Sequence, residues 1–483
     1  IALAGKSEDG DSNSMNIMWN TKVSTSTTIA KYGLQSGNLD EIAKGDNSAY
    51  YITYNHQVTL GELKADTVYY YSVGDEDGGF SEERSFRTAP LSNNLRNNWS
   101  FAYLADLGVV NGASTTEYIG KMLPSSTEND EKDNGVRLVW HGGDVGYADD
   151  SFLHYGCYAK FCYEDAFDEY MIAASKQWAT QVPYMTMPGN HEADCHSPAC
   201  FVVKERRENL SNFTAYNSRF HMPSKEVNGS LSMHYSFNYG NVHFISMDTE
   251  TGFPNAPLSK RYVFPCGGFQ DQMKWIENDL IKANLPENRK KQPWILVAGH
   301  RPMYSMNQIN IDFQIALEDI FYKYGVDLYF TGHKHYYSRN YPTYNGIVEQ
   351  EGYNNPKSTS SIVAGGSGND EMTDVQRRLK QDKENARDIA EGIQKPTNIE
   401  PDDNSMKLAN NKKEADSFGP WTAIQDQNQV GVTKVTIIDD DHLRVDYIRT
   451  KTGEIFDTMT LYRDHSPGKF PQELPSKSTS SSN

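Results

Sequence analysis

Five short apolar runs in this chain each lead into residues that can bind a hard or borderline metal ion. Phe101–Leu104 leads to Asp106, Val136–Trp140 to Asp144 and Tyr147, and Tyr184–Met187 to Asn190 and His191. Ile295–Val297 leads to His300, and Asp327–Phe330 to His333 and His335. Each run reads as a buried strand, and ligands in layered sheet folds gather at the carboxyl ends of strands. Five loops of carboxylate, phenol, amide and imidazole donors can therefore converge on one place. That donor set suits two metal ions and an activated water. Each cluster alone is ordinary. An Asp after a strand is usually a turn or a cap, and a lone Gly-Asn-His is usually a loop. All five in succession are what point to chemistry.

The succession is Asp106-Leu-Gly108, Gly143-Asp144-Val-Gly-Tyr147, Gly189-Asn190-His191-Glu192, Val297-Ala-Gly-His300 and Gly332-His333-Lys-His335. It resembles the signature of the purple acid phosphatases, a family of calcineurin-like metallophosphoesterases. The stretch Tyr235–Asp248 is also similar, and the likeness runs from about Trp19 to Leu461. The resemblance implies a secreted acid phosphatase that hydrolyses small phosphate monoesters with a metal-activated hydroxide. It implies a ferric ion (Fe3+) held by Asp106, Asp144, Tyr147 and His335. It also implies a divalent ion (Zn2+, Mn2+ or Fe2+) held by Asp144, Asn190, His300 and His333, with Asp144 as the bridge. Charge transfer from the Tyr147 phenolate to iron would give the purple colour. His191 is the expected catalytic group, for phosphate contact or proton transfer; orienting a ligand is its plainer role. Plant relatives carry a further histidine after the V-x-x-H motif, and Tyr304–Asp312 has none. Asn307, Asn310, Asp312, His154 and His243 remain candidates for protonating the leaving group, although His243 lies in an apolar run that suits a buried structural role. Ser338 stands where many relatives carry a glutamate.

The elements that position these residues follow from patterning. At 483 residues, 37% hydrophobic and 12% aromatic, the chain has room for two or three cores. Residues 1–90 alternate apolar and polar with frequent turns, the pattern of an all-β sandwich. The segment His56–Tyr71 resembles the fibronectin III-like domain that precedes the catalytic domain in many plant and fungal relatives. Residues 99–465 alternate strands and helices, an α/β metallophosphoesterase domain that in the family is two sheets flanked by helices. Helices are expected at Ala166–Ala179, Gly268–Ala283 and Phe313–Tyr324, the second with Phe269, Met273, Ile276 and Leu280 on one face. Val430–Ile438, Leu443–Thr450 and Phe456–Tyr462 read as closing strands. A charged insertion is expected at 374–415 and a polar tail at 466–483.

A net charge of −18 repels nucleic-acid phosphates and argues against a basic nucleic-acid-binding surface. No apolar run is long enough to cross a bilayer. Cys157 with Cys162, and Cys195 with Cys200, are spaced for local disulfides; cross-pairing and a four-cysteine zinc site are the alternatives, and Cys266 is left over. Sequons at Asn98, Asn209, Asn212 and Asn228 are glycan acceptors if the chain is secreted. Two other functions compete. One is a phosphodiesterase or nucleotide pyrophosphatase on the same metals. The other is a surface binding protein with an inert catalytic domain, which the full ligand set argues against.

Overall fold

The computed structural model describes residues 1–6, 13–91, 98–124, 134–150, 162–193, 199–261, 264, 266–369, 372 and 418–475. The 374–415 insertion, His154, Cys157 and Cys195 lie outside the described residues. Cys162 and Cys200 are disulfide-bonded, which removes the zinc alternative that needs both of their thiolates, and Cys266 Sγ lies 3.7 Å from Ala193 O.

The alternating N-terminal segment folds as two antiparallel sheets. One orders Ala2–Lys6, Asn13–Thr21, Thr53–Leu63 and Asp46–Tyr50; the other orders Glu41–Lys44, Ile29–Gly33, Val68–Asp75 and Gly79–Phe80, with Arg84–Arg87 also on Val68–Asp75. Met15, Ile17, Val58 and Leu60 of the first share one buried cluster with Ala30, Tyr69, Tyr71 and Phe86 of the second. This module packs on the rest of the chain through specific bonds. Tyr71 Oη donates to Thr180 O at 2.9 Å, and Tyr50 Oη to Asn209 O at 2.8 Å.

Two larger sheets carry the metal-ligand motifs. Trp99–Leu104, Val136–His141 and Tyr184–Thr186 lie parallel in the first. Gly431–Ile437, His442–Arg449 and Glu454–Tyr462 extend it antiparallel, where closing strands were expected. In the second sheet Val242–Met247, Trp294–Gly299, Leu328–Thr331 and Ser360–Ala364 are parallel. Tyr235–Tyr239, Tyr337–Asn340 and Thr422–Asp426 add to it antiparallel. The parallel strands are rich in apolar residues and almost wholly buried because both of their faces are covered. Phe101 and Trp140 of the first sheet meet Phe244 of the second edge-on, with centroids 5.2 and 5.1 Å apart. Such pairs add about 0.5–1.5 kcal/mol each beyond their burial. Trp140 Nε1 also donates to Ser246 Oγ at 3.0 Å, tying the sheets at a fixed height.

The helices depart from expectation where glycine intervenes. The second begins at Gln272, not Gly268, because Gly267, Gly268 and Gln270 hold φ of 121°, 90° and 65°. Asp271 caps it by accepting from Lys274 N at 3.1 Å. Its buried face is therefore Trp275, Ile276, Asp279, Leu280 and Ala283; Phe269 lies outside the helix and Met273 is only partly covered. Helix Ile311–Tyr324 starts earlier than expected, capped by Asn310, and stops at Gly325 in left-handed backbone. Helix Tyr163–Ala174 continues as one π turn over Ser175–Ala179.

Candidate metal centre

Every motif residue follows the carboxyl end of a parallel strand, three loops from one sheet and two from the other. The first two loops are zipped together: Leu107–Gly108 pairs in parallel with Val145–Gly146, and Asp106 N donates to Gly143 O at 3.1 Å. Asp106, Asp144, Tyr147 and His333 all take left-handed backbone, with φ of 58°, 55°, 51° and 65°. That conformation costs a non-glycine residue about 1–3 kcal/mol, and concentrations of it mark functional sites. Glycine is required beside them. A Cβ on Gly189 would collide with Asp144 Oδ1, and one on Gly332 with Asp106 Oδ2.

Two groups of donors meet at Asp144. Tyr147 Oη stands 3.1 Å from Asp106 Oδ1, 3.3 Å from Asp144 Oδ2 and 3.1 Å from His335 Nε2. On the other side His300 Nε2 is 3.1 Å from the same Asp144 Oδ2 and 3.1 Å from Asn190 Oδ1. His333 Nδ1 lies 2.9 Å from Asn190 Oδ1. The spare carboxylate oxygens are held by backbone: Asp144 Oδ1 accepts from His191 N at 3.0 Å, and Asp106 Oδ2 from His333 N at 2.8 Å. The candidate ligands Asp106, Asp144, Tyr147, Asn190, His300, His333 and His335 are thus brought together in one place.

The donors fit metal ions chemically. Asp106, Asp144 and His300 are buried and offer ligand atoms within 4.8 Å of one another. Burial opposes ionisation of Asp144, yet His300 and His191 hold its carboxyl well below the usual range. Burial likewise lowers His300, yet Asp144 and Asp106 raise it to about 9. A proton on His300 answers the buried carboxylates, and a metal cation would answer them more fully. His300 Nδ1 is 2.9 Å from Gly142 O, which turns Nε2 to the centre. Burial and then Arg301 hold His333 well below its usual value, in the neutral form a metal ligand needs.

Four supporting residues act here: Glu192, which the sequence offered only as the last residue of the G-N-H-E motif, and Asp149, Glu250 and Arg301, which it did not single out. Asp149 Oδ2 is 2.9 Å from His191 Nδ1, and both side chains are buried. Glu192 accepts three backbone bonds: from Asp144 N at 2.9 Å, Val145 N at 2.7 Å and Gly189 N at 2.7 Å. Burial and the nearby Asp144 push Glu192 up to about 8, against the pull of those donors. Arg301 forks onto buried Glu250, Nε to Oε1 at 2.8 Å and Nη2 to Oε2 at 2.7 Å, and sets Nη1 2.8 Å from His333 Nε2. Adjacency to His300 was the available signal for Arg301; Glu250 gave none.

Other candidates are placed elsewhere. Asn310 is spent capping its helix, and Asp312 accepts from Asn255 Nδ2 at 2.9 Å. His243 bonds Asn238 Oδ1 at 2.6 Å and Asp279 Oδ2 at 2.8 Å, near the start of its strand and away from the ligand-bearing ends.

Fold and donor set together define a calcineurin-like phosphoesterase. The family model for that domain matches residues 100–337. Residues 6–88 match the purple acid phosphatase N-terminal domain, and 403–458 match the iron/zinc purple acid phosphatase-like protein C domain. The human acid phosphatase type 7 is 32% identical, over 75% of this chain and 76% of its own. An Aspergillus ficuum acid phosphatase is 28% identical, over 90% of this chain and 82% of its own. A solved purple acid phosphatase from yellow lupin seeds shares the fold at a TM-score of 0.64 and 21% identity, covering 96% of this chain and 74% of that one. The chain belongs to the purple acid phosphatase family, and is a phosphoester hydrolase with a binuclear metal site.

Proposed function

We propose that this enzyme is a secreted acid phosphatase acting on small phosphate monoesters. Asp106, Asp144, Tyr147 and His335 would hold a ferric ion, and Asp144, Asn190, His300 and His333 a zinc, manganese or ferrous ion. One observation carries the reading: a single oxygen, Asp144 Oδ2, lies between the phenol of Tyr147 and the imidazole of His300. The phenol suits a trivalent ion, and the amide with two imidazoles suits a divalent one. Bound there, the ions would supply an activated water and neutralise charge on the phosphoryl group.

His191 touches the phosphoryl group or leaving oxygen in this reading. Its Nδ1 is engaged by Asp149, and its Nε2 lies 3.9 Å from Asp144 Oδ2. Asp149 is thus a positioning residue, which aims the proton on Nε2. Secretion is supported by the disulfides at Cys162 and Cys200, with pairing to Cys157 and Cys195 proposed from spacing. Asn98 and Asn228 are exposed glycan candidates and Asn209 is half-buried; the Asn212 side chain is engaged with Gly267. The −18 net charge argues against nucleic acid as a partner.

The protein should hydrolyse para-nitrophenyl phosphate in acid faster than the bis ester. His191→Ala should lower kcat by roughly 100- to 10,000-fold. Asp149→Asn should lower it by about 10- to 100-fold. The double variant should be no slower than His191→Ala alone. Faster diester turnover would overturn the monoester reading, and multiplying losses would separate Asp149 from His191.

A further inference from the structure

Asn369 lies in the Gly365–Asn369 loop that follows strand Ser360–Ala364, and it is fully buried. The loop is clamped to the start of helix Val109–Lys121. Gly108 N donates to Gly368 O at 2.9 Å, Asn111 Nδ2 to Asn369 O at 2.9 Å and Thr115 Oγ1 to Ser367 O at 2.8 Å. The space is close enough that a Cβ on Gly368 would stand 2.6 Å from Asn111 O.

The amide orientation is decided by its partners. Met372 N donates to Asn369 Oδ1 at 2.9 Å, so the opposite side of the amide must be Nδ2. Nδ2 stands 3.4 Å from Asp106 O and 3.0 Å from Tyr147 Oη. An amide N–H has only donor character, so the Tyr147 oxygen accepts from it. Around the same oxygen stand the candidate ligands Asp106, Asp144 and His335.

We propose that Asn369 is a positioning residue that tunes the electron donation of Tyr147 to its metal. The inference rests on the ferric reading of the Tyr147 site. A hydrogen bond to a phenolate oxygen stabilises its lone pairs, so the phenolate donates less to the ion it binds. Promotion of an electron from phenolate to iron then needs more energy, and the ferric state is less favoured over the ferrous. Removing the donor reverses both effects.

The visible spectrum tests this. Asn369→Leu, similar in shape and without the donor, should move the purple band to longer wavelength and lower the iron reduction potential, at unchanged iron content. A purple native enzyme whose Asn369→Leu band and potential are unmoved would overturn the inference while sparing the ferric reading. A colourless, iron-free native protein would overturn both. Should Asn369→Leu not fold, the native protein decides. The phenolate C–O vibration, read by resonance Raman spectroscopy, should shift after full exchange into D2O, and no shift would overturn the inference.

Discussion

Asp144→Asn is expected to strip metal from the enzyme and to lower kcat/KM for a phosphate monoester at least about 1,000-fold. That factor corresponds to losing about 4 kcal/mol of transition-state stabilisation, the scale of charge relief a metal pair supplies. Asparagine keeps the shape, so Gly189 still fits against it. It removes the negative charge that His300 and Tyr147 both face across Oδ2. It also puts an NH2 group either on the His191 N–H, now bonded at 3.0 Å, or between Tyr147 and His300. Either way one half of the centre faces a donor where it needs an acceptor. Elemental analysis and steady-state kinetics check it. Full metal content with a rate within tenfold of native would remove Asp144 from the bridging position.

Glu192→Ala is expected to have the largest effect on stability. Its two carboxyl oxygens receive the N–H groups of Asp144, Val145 and Gly189, all inside the fold. Alanine leaves three buried donors without that acceptor, at roughly 1–3 kcal/mol for each. The loss should be at least about 3 kcal/mol, read as a lower unfolding midpoint in urea. Glu192 also holds the Gly189 loop against the Asp144 loop, so the variant should bind metal weakly even where it is folded. Glu192→Gln keeps one oxygen acceptor and should fall between. A Glu192→Ala protein as stable as native would show that water or backbone shifts replace the carboxyl oxygens.

How much of this was legible in the chain differs by residue. The motif ligands were readable because each stands within a few residues of a mostly apolar strand that is buried on both faces. Asp106 is two residues past Leu104, and His300 is one past Gly299. Their backbone was not readable. Asp144 and Tyr147 themselves take positive φ, where a local reading would place only Gly146 between them. The supporting residues were hidden for another reason. Glu250 and Arg301 meet from separate strand ends, and Asn369 reaches Tyr147 from a loop that reads only as a glycine turn. Nothing local to those positions carries the contact. Asp149, two residues after Tyr147, looks like any acidic loop residue until His191 is placed beside it. The helix expected from Gly268 failed because apolar spacing outweighed two glycines; the chain turns there first.

The central claim is a ferric ion on Tyr147 paired with a divalent ion across Asp144. A visible absorption spectrum of the native protein, with elemental analysis of the same sample, tests it most directly. The expected result is a purple band, about one iron per chain together with one divalent ion, and loss of the band in Tyr147→Phe with the fold retained. A colourless protein holding two divalent ions would contradict it, leaving phosphoester hydrolysis without the iron chemistry assigned to Tyr147.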